Sequence, residues 1–252
     1  ILRQIMRYFI GNWKMFGIPK SITIIDKINL FYKKDKNKAK YRVIITPPYT
    51  LIESYSKYFR NKKISIGSQN CYHKDQFSSN TASISPYMIK SVGAKYTLIG
   101  HSDNRAEGDN DKMLKEKVKF ALNNNLKIVF CIGENKLEKK NKKTLPTLKK
   151  QLIKVLDKKL NKNNIIVAYE PIWSIGTGKI PTPQDLKKTI IHIKKVLENI
   201  FKKTSPPVLY GGSVDDQSVK NFKEIKEIDG FLIGGASKSP KKFIDIIKNY
   251  YR

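Results

Sequence analysis

Residues 165–201 read IIVAYEPIWSIGTGKIPTPQDLKKTIIHIKKVLENIF, and this stretch contains one whole structural unit. It opens on a short apolar, β-branched run, Ile165–Tyr169, with the pattern of a strand. It closes on a charged segment in which Leu186, Ile190, Ile193, Val196 and Leu197 recur at helical spacing, so the pattern predicts a helix over Gln184–Phe201. A strand leading into a helix of that length suits a parallel sheet, because a parallel connection needs a crossover of about a dozen residues or more.

Reading outward in both directions, the same kind of run recurs at Tyr8–Trp13, Tyr41–Thr46, Ile64–Gln69, Tyr96–Gly100, Lys127–Ile132, Val208–Tyr210 and Gly230–Ile233. Charged helical patterns lie between them, as in Lys112–Asn123 with Met113, Leu114, Val118, Ala121 and Leu122. Eight such units in 252 residues have the dimensions of a closed barrel rather than of a doubly wound sheet. No strand-linked GxGxxG favours a dinucleotide fold. The predicted fold is α/β, a single (β/α)8 barrel over residues 1–252. A chain of this length can bury roughly 75% of its unfolded surface in one core. The Lys- and Asn-rich stretches Lys33–Lys40 and Lys136–Lys143 read as surface helix ends or loops.

The 50 Lys and Arg against 21 Asp and Glu leave a formal charge of +29. Such a balance raises the question of nucleic acid or an anionic membrane. The lysines are spread over almost every helical segment, with no basic arm and no aromatic-plus-basic motif, so the reading is a solvated lysine surface without a specific nucleic-acid partner. Abundant Lys, Asn and Ile together look like an A/T coding bias. A field of this sign would still speed the arrival of an anionic substrate. No apolar run approaches the ~18 residues of a membrane span. Cys71 and Cys131 suit free thiols in a reducing compartment, and no Cys/His cluster has metal-ligand spacing.

In a barrel of this kind the C-terminal strand ends carry the site. They read GNWKM (Gly11–Met15), IGHSDNR (Ile99–Arg105), CIGE (Cys131–Glu134), AYEPIWSIGTGK (Ala168–Lys179), YGGSV (Tyr210–Val214) and GFLIGGAS (Gly230–Ser237). Singly these residues have structural readings, His101 as a hydrogen-bonded core residue, Glu170 as a turn cap before Pro171 and Lys14 as one lysine among many; together with Asn12, in order and at strand ends, they point to a site that sets a carboxylate against a group of donors. Gly-rich turns let backbone N–H groups approach a phosphate dianion without a cationic clamp. Ser102, Asp103 and Asn104 are expected to open a helix whose positive end faces the imidazole and favours its neutral form.

From about Met6 to the C-terminus, these six segments resemble the signature set of the triosephosphate isomerase family. The resemblance implies a homodimeric enzyme of glycolysis and gluconeogenesis that acts on triose phosphates with neither metal nor organic cofactor. It also implies roles: Glu170 as base, His101 as the electrophile at the enediolate oxygens, Lys14 as electrostatic anchor and Asn12 as polar partner of the oxyanion. Gly176, Ser213, Gly234 and Gly235 match the phosphate positions. Pro171, Ile172, Trp173, Ile175, Thr177, Gly178 and Lys179 match a lid that excludes water and keeps the enediol phosphate from losing phosphate.

The chain departs from the family at several points. After His101 and Ser102 it has Asp103 and Asn104 where the family has Glu and Arg, so the contact from residue 103 to Lys14 is expected to lengthen. The segment Phe77–Ser85 resembles the loop that reaches the partner subunit, but Ala82 and Ser83 replace its Gly and Glu, and the loop reads one residue longer. Ser83 and Asn104 thus replace both members of an intersubunit ion pair, a milder loss than removing one, since no charge is left unpaired. Lys238 stands where the family has an apolar residue. In the family, the strand-seven Tyr hydroxyl holds the lid through the N–H of residue 181; Pro181 has none, so Tyr210 is expected to lose that bond. Ser213 to the N–H of Gly178 would remain as the latch.

Two other readings compete. Another phosphate-binding barrel, an epimerase or aldolase, would need a Schiff-base lysine or a His/Asp metal set at a strand end. A non-catalytic scaffold for anionic polymers would rest on the +29 charge. The chain opens on Ile1, which points to an upstream segment. With the basicity, this gives the expectation of a plastid-type, apicoplast-like organelle, with the cytoplasm as alternative.

Overall fold

The computed structural model describes residues 6–252. Among them, eight parallel strands close into a barrel in the order of the chain. They are β1 (Arg7–Asn12), β2 (Tyr41–Thr46), β3 (Ser65–Ser68), β4 (Tyr96–Ile99), β5 (Lys127–Ile132), β6 (Ile165–Tyr169), β7 (Val208–Tyr210) and β8 (Gly230–Ile233). The barrel shuts where β1 pairs with β8, Phe9 opposite Phe231, while its other edge sets Phe9 opposite Val43 of β2.

Five of the eight strands have the bounds the sequence predicts. Of the other three, β1 starts and ends one residue earlier, β3 is one residue shorter at each end, and β4 is one residue shorter at its C-terminal end. Gly100 leaves β4 because its φ of +76° turns the chain out of the strand, a conformation that costs glycine little.

The two-residue period of a strand sends successive side chains to opposite faces. Ile10, Ile44, Leu98, Val129, Cys131, Ile166, Ala168, Leu209 and Leu232 accordingly fill the barrel interior. Their neighbours Phe9, Val43, Phe130, Val167 and Phe231 face outward into a second core beneath the helices. Strands buried on both faces explain the unbroken apolar runs of the sequence.

The helices carry local signals that set their starts. Asn110 caps Asp111–Asn123 by accepting from the Met113 N–H, and Thr182 caps Pro183–Ile200 by accepting from the Asp185 N–H. Pro183 at the first turn and Asp185 near the positive helix end reinforce the second of these. That helix therefore begins at a fixed point just past Pro181, which anchors the far end of the loop leaving β6. Cys71 and Cys131 are free and buried. No helix among the described residues is long and apolar enough to cross a membrane.

Candidate active site

A cavity of about 570 Å³ opens at the C-terminal end of the barrel. Asn12, Lys14, His101 and Glu170 line it, and so do Gly176, Ser213, Gly234 and Gly235. Residues from strands β1, β4, β6, β7 and β8 thus converge, as the sequence reading expects.

Glu170 directly follows β6 and is only 4% exposed. Its backbone N–H donates to the Ile132 carbonyl at 2.7 Å, which ties it to the end of β5. Gly133 permits that approach: a Cβ there would lie 1.8 Å from the Glu170 carbonyl oxygen. Gly211 packs against another side, where a Cβ would lie 2.7 Å from the Glu170 Cγ. One carboxylate oxygen, Oε1, lies 3.4 Å from His101 Nε2. The other, Oε2, is buried with no hydrogen-bond partner. That oxygen has no competing hydrogen bond to break when a substrate C–H is set against it.

His101, also 4% exposed, caps the helix Ser102–Ala106. Its Nδ1 accepts the Asp103 backbone N–H at 3.1 Å. A proton on Nδ1 would set two donors against each other, so the ring is held in the tautomer that carries its proton on Nε2, toward the cavity. Behind the pair, Arg105 donates to the carbonyls of Gly100 at 2.7 Å and Cys131 at 2.9 Å, joining the ends of β4 and β5.

Lys14 adopts a left-handed φ of +54°, uncommon for a residue with a Cβ. Two side chains hold it there. Asn12 Oδ1 accepts the Lys14 N–H at 3.0 Å, and Gln69 Nε2 donates to the Lys14 carbonyl at 2.8 Å. The ammonium reaches Asp103 at 3.1 Å, so the shorter carboxylate closes the contact that was expected to lengthen. At the opposite wall, Ser237 donates to the Gly234 carbonyl at 2.7 Å and fixes the Gly234–Gly235 turn. Lys238 lies over the Phe16 ring, 5.3 Å from its centroid, and contributes to the cavity wall.

The loop from Pro171 to Pro181 folds over this cavity. Ile175, Gly176 and Gly178 contribute to its lining, with Gly176 and Gly178 at positive φ. Ile172 and Trp173 are fastened to Glu134, two residues past the end of β5, and do not line the cavity: the Ile172 N–H donates to the Glu134 carbonyl at 3.0 Å and Trp173 Nε1 to Glu134 Oε1 at 2.8 Å. Thr177 bonds back to Trp173, and the Lys179 carbonyl accepts from Ser174. The expected latch is present, with Gly178 N–H donating to Ser213 Oγ at 3.2 Å. Pro181 offers no N–H to Tyr210, as expected from the sequence, and the Tyr210 hydroxyl lies instead 3.2 Å from Ser174 Oγ.

Glu134, Gln69 and Ser174 were not assigned roles by sequence. The available signal was position alone: Glu134 closes the strand-five segment CIGE, Ser174 lies within the strand-six segment AYEPIWSIGTGK, and Gln69 closes the third apolar run, but none of these positions shows which groups the side chain meets. Burial is the largest influence on the Glu134 carboxyl and pushes it up, against the hydrogen bonds from Trp173 and Tyr169 that favour the anion. The folded state then holds this proton more tightly than the unfolded chain. The stability it contributes is full below the unfolded carboxyl pKa and is lost as pH rises through the folded one. Glu134→Gln keeps an acceptor for Trp173 and is expected to flatten that slope. Denaturant titrations between about pH 4 and pH 7 test this, and parallel slopes for the two proteins would refute it.

Three comparisons bear on this geometry. A family model described as triosephosphate isomerase matches residues 7–250. The triosephosphate isomerase of Saccharomyces cerevisiae is 36% identical over 244 residues, covering 95% of this chain and 96% of its own. That of Debaryomyces hansenii is 38% identical over 251 residues, covering 96% and 98%. Among solved structures, the triosephosphate isomerase of Bartonella henselae superposes with a TM-score of 0.89 at 30% identity, covering 98% of this chain and 99% of that one.

Proposed function

The chain belongs to the triosephosphate isomerase family, and from that premise we propose how its own residues interconvert dihydroxyacetone phosphate and D-glyceraldehyde 3-phosphate. The observation that carries the assignment is the facing pair at the cavity floor, His101 Nε2 and Glu170 Oε1 at 3.4 Å, beside an unpartnered Glu170 Oε2.

Glu170 removes a proton from the carbon next to the substrate carbonyl. Charge develops on the carbonyl oxygen, where His101 Nε2–H, the Lys14 ammonium and the Asn12 side chain face the cavity. His101 moves a proton between the two oxygens of the enediolate. Glu170 then returns its proton to the neighbouring carbon, so no atom is gained or lost. The phosphate is held by backbone N–H groups at Gly176, Gly234 and Gly235, where glycine lets the chain come close, with Ser213 beside them in the cavity wall and its own N–H turned to Ser174 Oγ. An isomerase assay on the purified chain tests the reading, and absence of turnover overturns it.

We further propose a homodimer through Phe77–Ser85. Phe77 is 76% exposed and Met15 99%, and Tyr49, Tyr87 and Met88 are exposed too. Apolar side chains of this size left in water mark a surface that another protein covers. With Ser83 and Asn104 in place of a charged pair, the interface has little attraction for salt to screen, while two subunits of +29 repel each other. The dimer dissociation constant is therefore expected to hold steady or fall as salt rises. Sedimentation across a salt series tests it; steep weakening with salt contradicts it, and a concentration-independent monomer removes the dimer. For the compartment we propose a plastid-type organelle, with the cytoplasm as alternative. Imaging of a full-length tagged protein decides between them.

A further inference from the structure

Ser174 has no part in the proton transfers, yet it is fully buried and every hydrogen-bonding capacity of its hydroxyl is used. Its Oγ donates to the Lys179 carbonyl, accepts the Ser213 N–H at 3.3 Å and lies 3.2 Å from the Tyr210 hydroxyl. A serine hydroxyl has one proton and two lone pairs. A carbonyl can only accept and an N–H can only donate, so the serine proton goes to Lys179 and the Tyr210 proton must point at Ser174. Tyr210 is itself fully buried, and burial pushes its phenol up to about 12, which keeps that proton in place. Ser213 completes the set by donating to the Ser174 carbonyl at 2.6 Å while accepting the Gly178 N–H.

The consequence is geometric. Ser174 and Lys179 bracket the four residues 175–178 that overhang the cavity, and one hydroxyl joins the two brackets to each other and both to the end of β7. Gly212 makes room for this arrangement. A Cβ there would lie 2.3 Å from the Tyr210 hydroxyl and 2.7 Å from Ser174 Oγ.

We infer that Ser174 is a positioning residue that holds residues 175–178 closed over the enediolate, with Tyr210 acting through it. The inference rests on the isomerase reading above. Its chemical consequence concerns the side reaction that an open site permits. In the enediolate phosphate the oxyanion pair can re-form a carbonyl and shift the double bond. The carbon–oxygen bond to phosphate then breaks, and its electron pair leaves with the phosphate. The three-carbon enol left behind tautomerises to methylglyoxal, with no water or oxidant consumed.

The test compares the parent with Ser174→Ala, Tyr210→Phe, the double variant and Gly212→Ala. Methylglyoxal and inorganic phosphate released per isomerisation are measured, along with affinity for 2-phosphoglycolate, whose carboxylate mimics the enediolate. Ser174→Ala strands a buried carbonyl, an N–H and a phenol, and is expected to raise the methylglyoxal fraction by about tenfold and weaken 2-phosphoglycolate by a similar factor. Gly212→Ala is expected to raise the fraction likewise. Tyr210→Phe should raise it less, and should add little once Ser174 is gone. An unchanged methylglyoxal fraction in Ser174→Ala, or fully additive effects of the two single changes, overturns the inference. A parent that does not isomerise at all overturns the underlying reading instead.

Discussion

Replacing Glu170 by Gln is expected to lower turnover by ~10²–10⁴-fold, the usual contribution of a general base, while leaving the fold and phosphate affinity close to the parent's. The amide keeps the shape of the side chain, so the closely packed neighbours do not move. Gly133 and Gly211 leave no slack around Glu170, as a Cβ on either would collide with it. What the amide cannot do is accept a proton from carbon at the position of Oε2, which in the parent is buried with nothing bonded to it. The substitution also puts an NH2 group into that pocket, or turns it toward His101 Nε2, which is itself a donor in the tautomer that Asp103 fixes. Steady-state rates with inorganic phosphate as competitive inhibitor separate the two effects. Turnover within threefold of the parent would sink the assignment of the base.

The parts of this protein that repeat were legible in its sequence, and the parts that depend on one hydroxyl or one amide were not. Buried parallel strands demand unbroken apolar runs, so Ile165–Tyr169 and Lys127–Ile132 announce themselves residue for residue. The lining of the cavity was also legible, because Glu170, His101, Lys14 and Asn12 are polar residues at the C-terminal strand ends, and all four line it. Gln69 is different. It lies past β3 and supports Lys14 across the strand order, a contact of sequence separation 55 that no local pattern encodes. Ser174 is a harder case still, since a serine in a loop is unremarkable until the fold brings Lys179, Tyr210 and Ser213 around it. Pro181 shows the limit from the other side. Its missing N–H is certain from sequence, and so is the loss of that bond by Tyr210, but the partner that replaces it lies seven residues earlier in the same loop, where no sequence pattern marks it.

His101→Gln is expected to cost about 10²–10³-fold in turnover, the effect of removing one well-placed donor from a developing oxyanion. The estimate depends on how His101 is held. Its Nδ1 is engaged by the Asp103 N–H and its ring is almost fully buried, so Nε2–H is fixed in direction before substrate arrives. Glutamine can offer an N–H in the same region, which preserves part of the oxyanion interaction, but its amide cannot give that proton up and take another from the neighbouring oxygen. The loss is therefore expected to appear in kcat more than in KM, because the shuttle acts only once the enediolate exists. Proton transfer to and from carbon remains with Glu170, so hydrogen–deuterium exchange at the substrate carbon should survive in His101→Gln and vanish in Glu170→Gln. The two residues act on one intermediate, and the double variant should fall little below Glu170→Gln alone. Full multiplicativity of the two losses would mean the two residues act independently, and an unaffected rate in His101→Gln would place the electrophile on Lys14 or Asn12 instead.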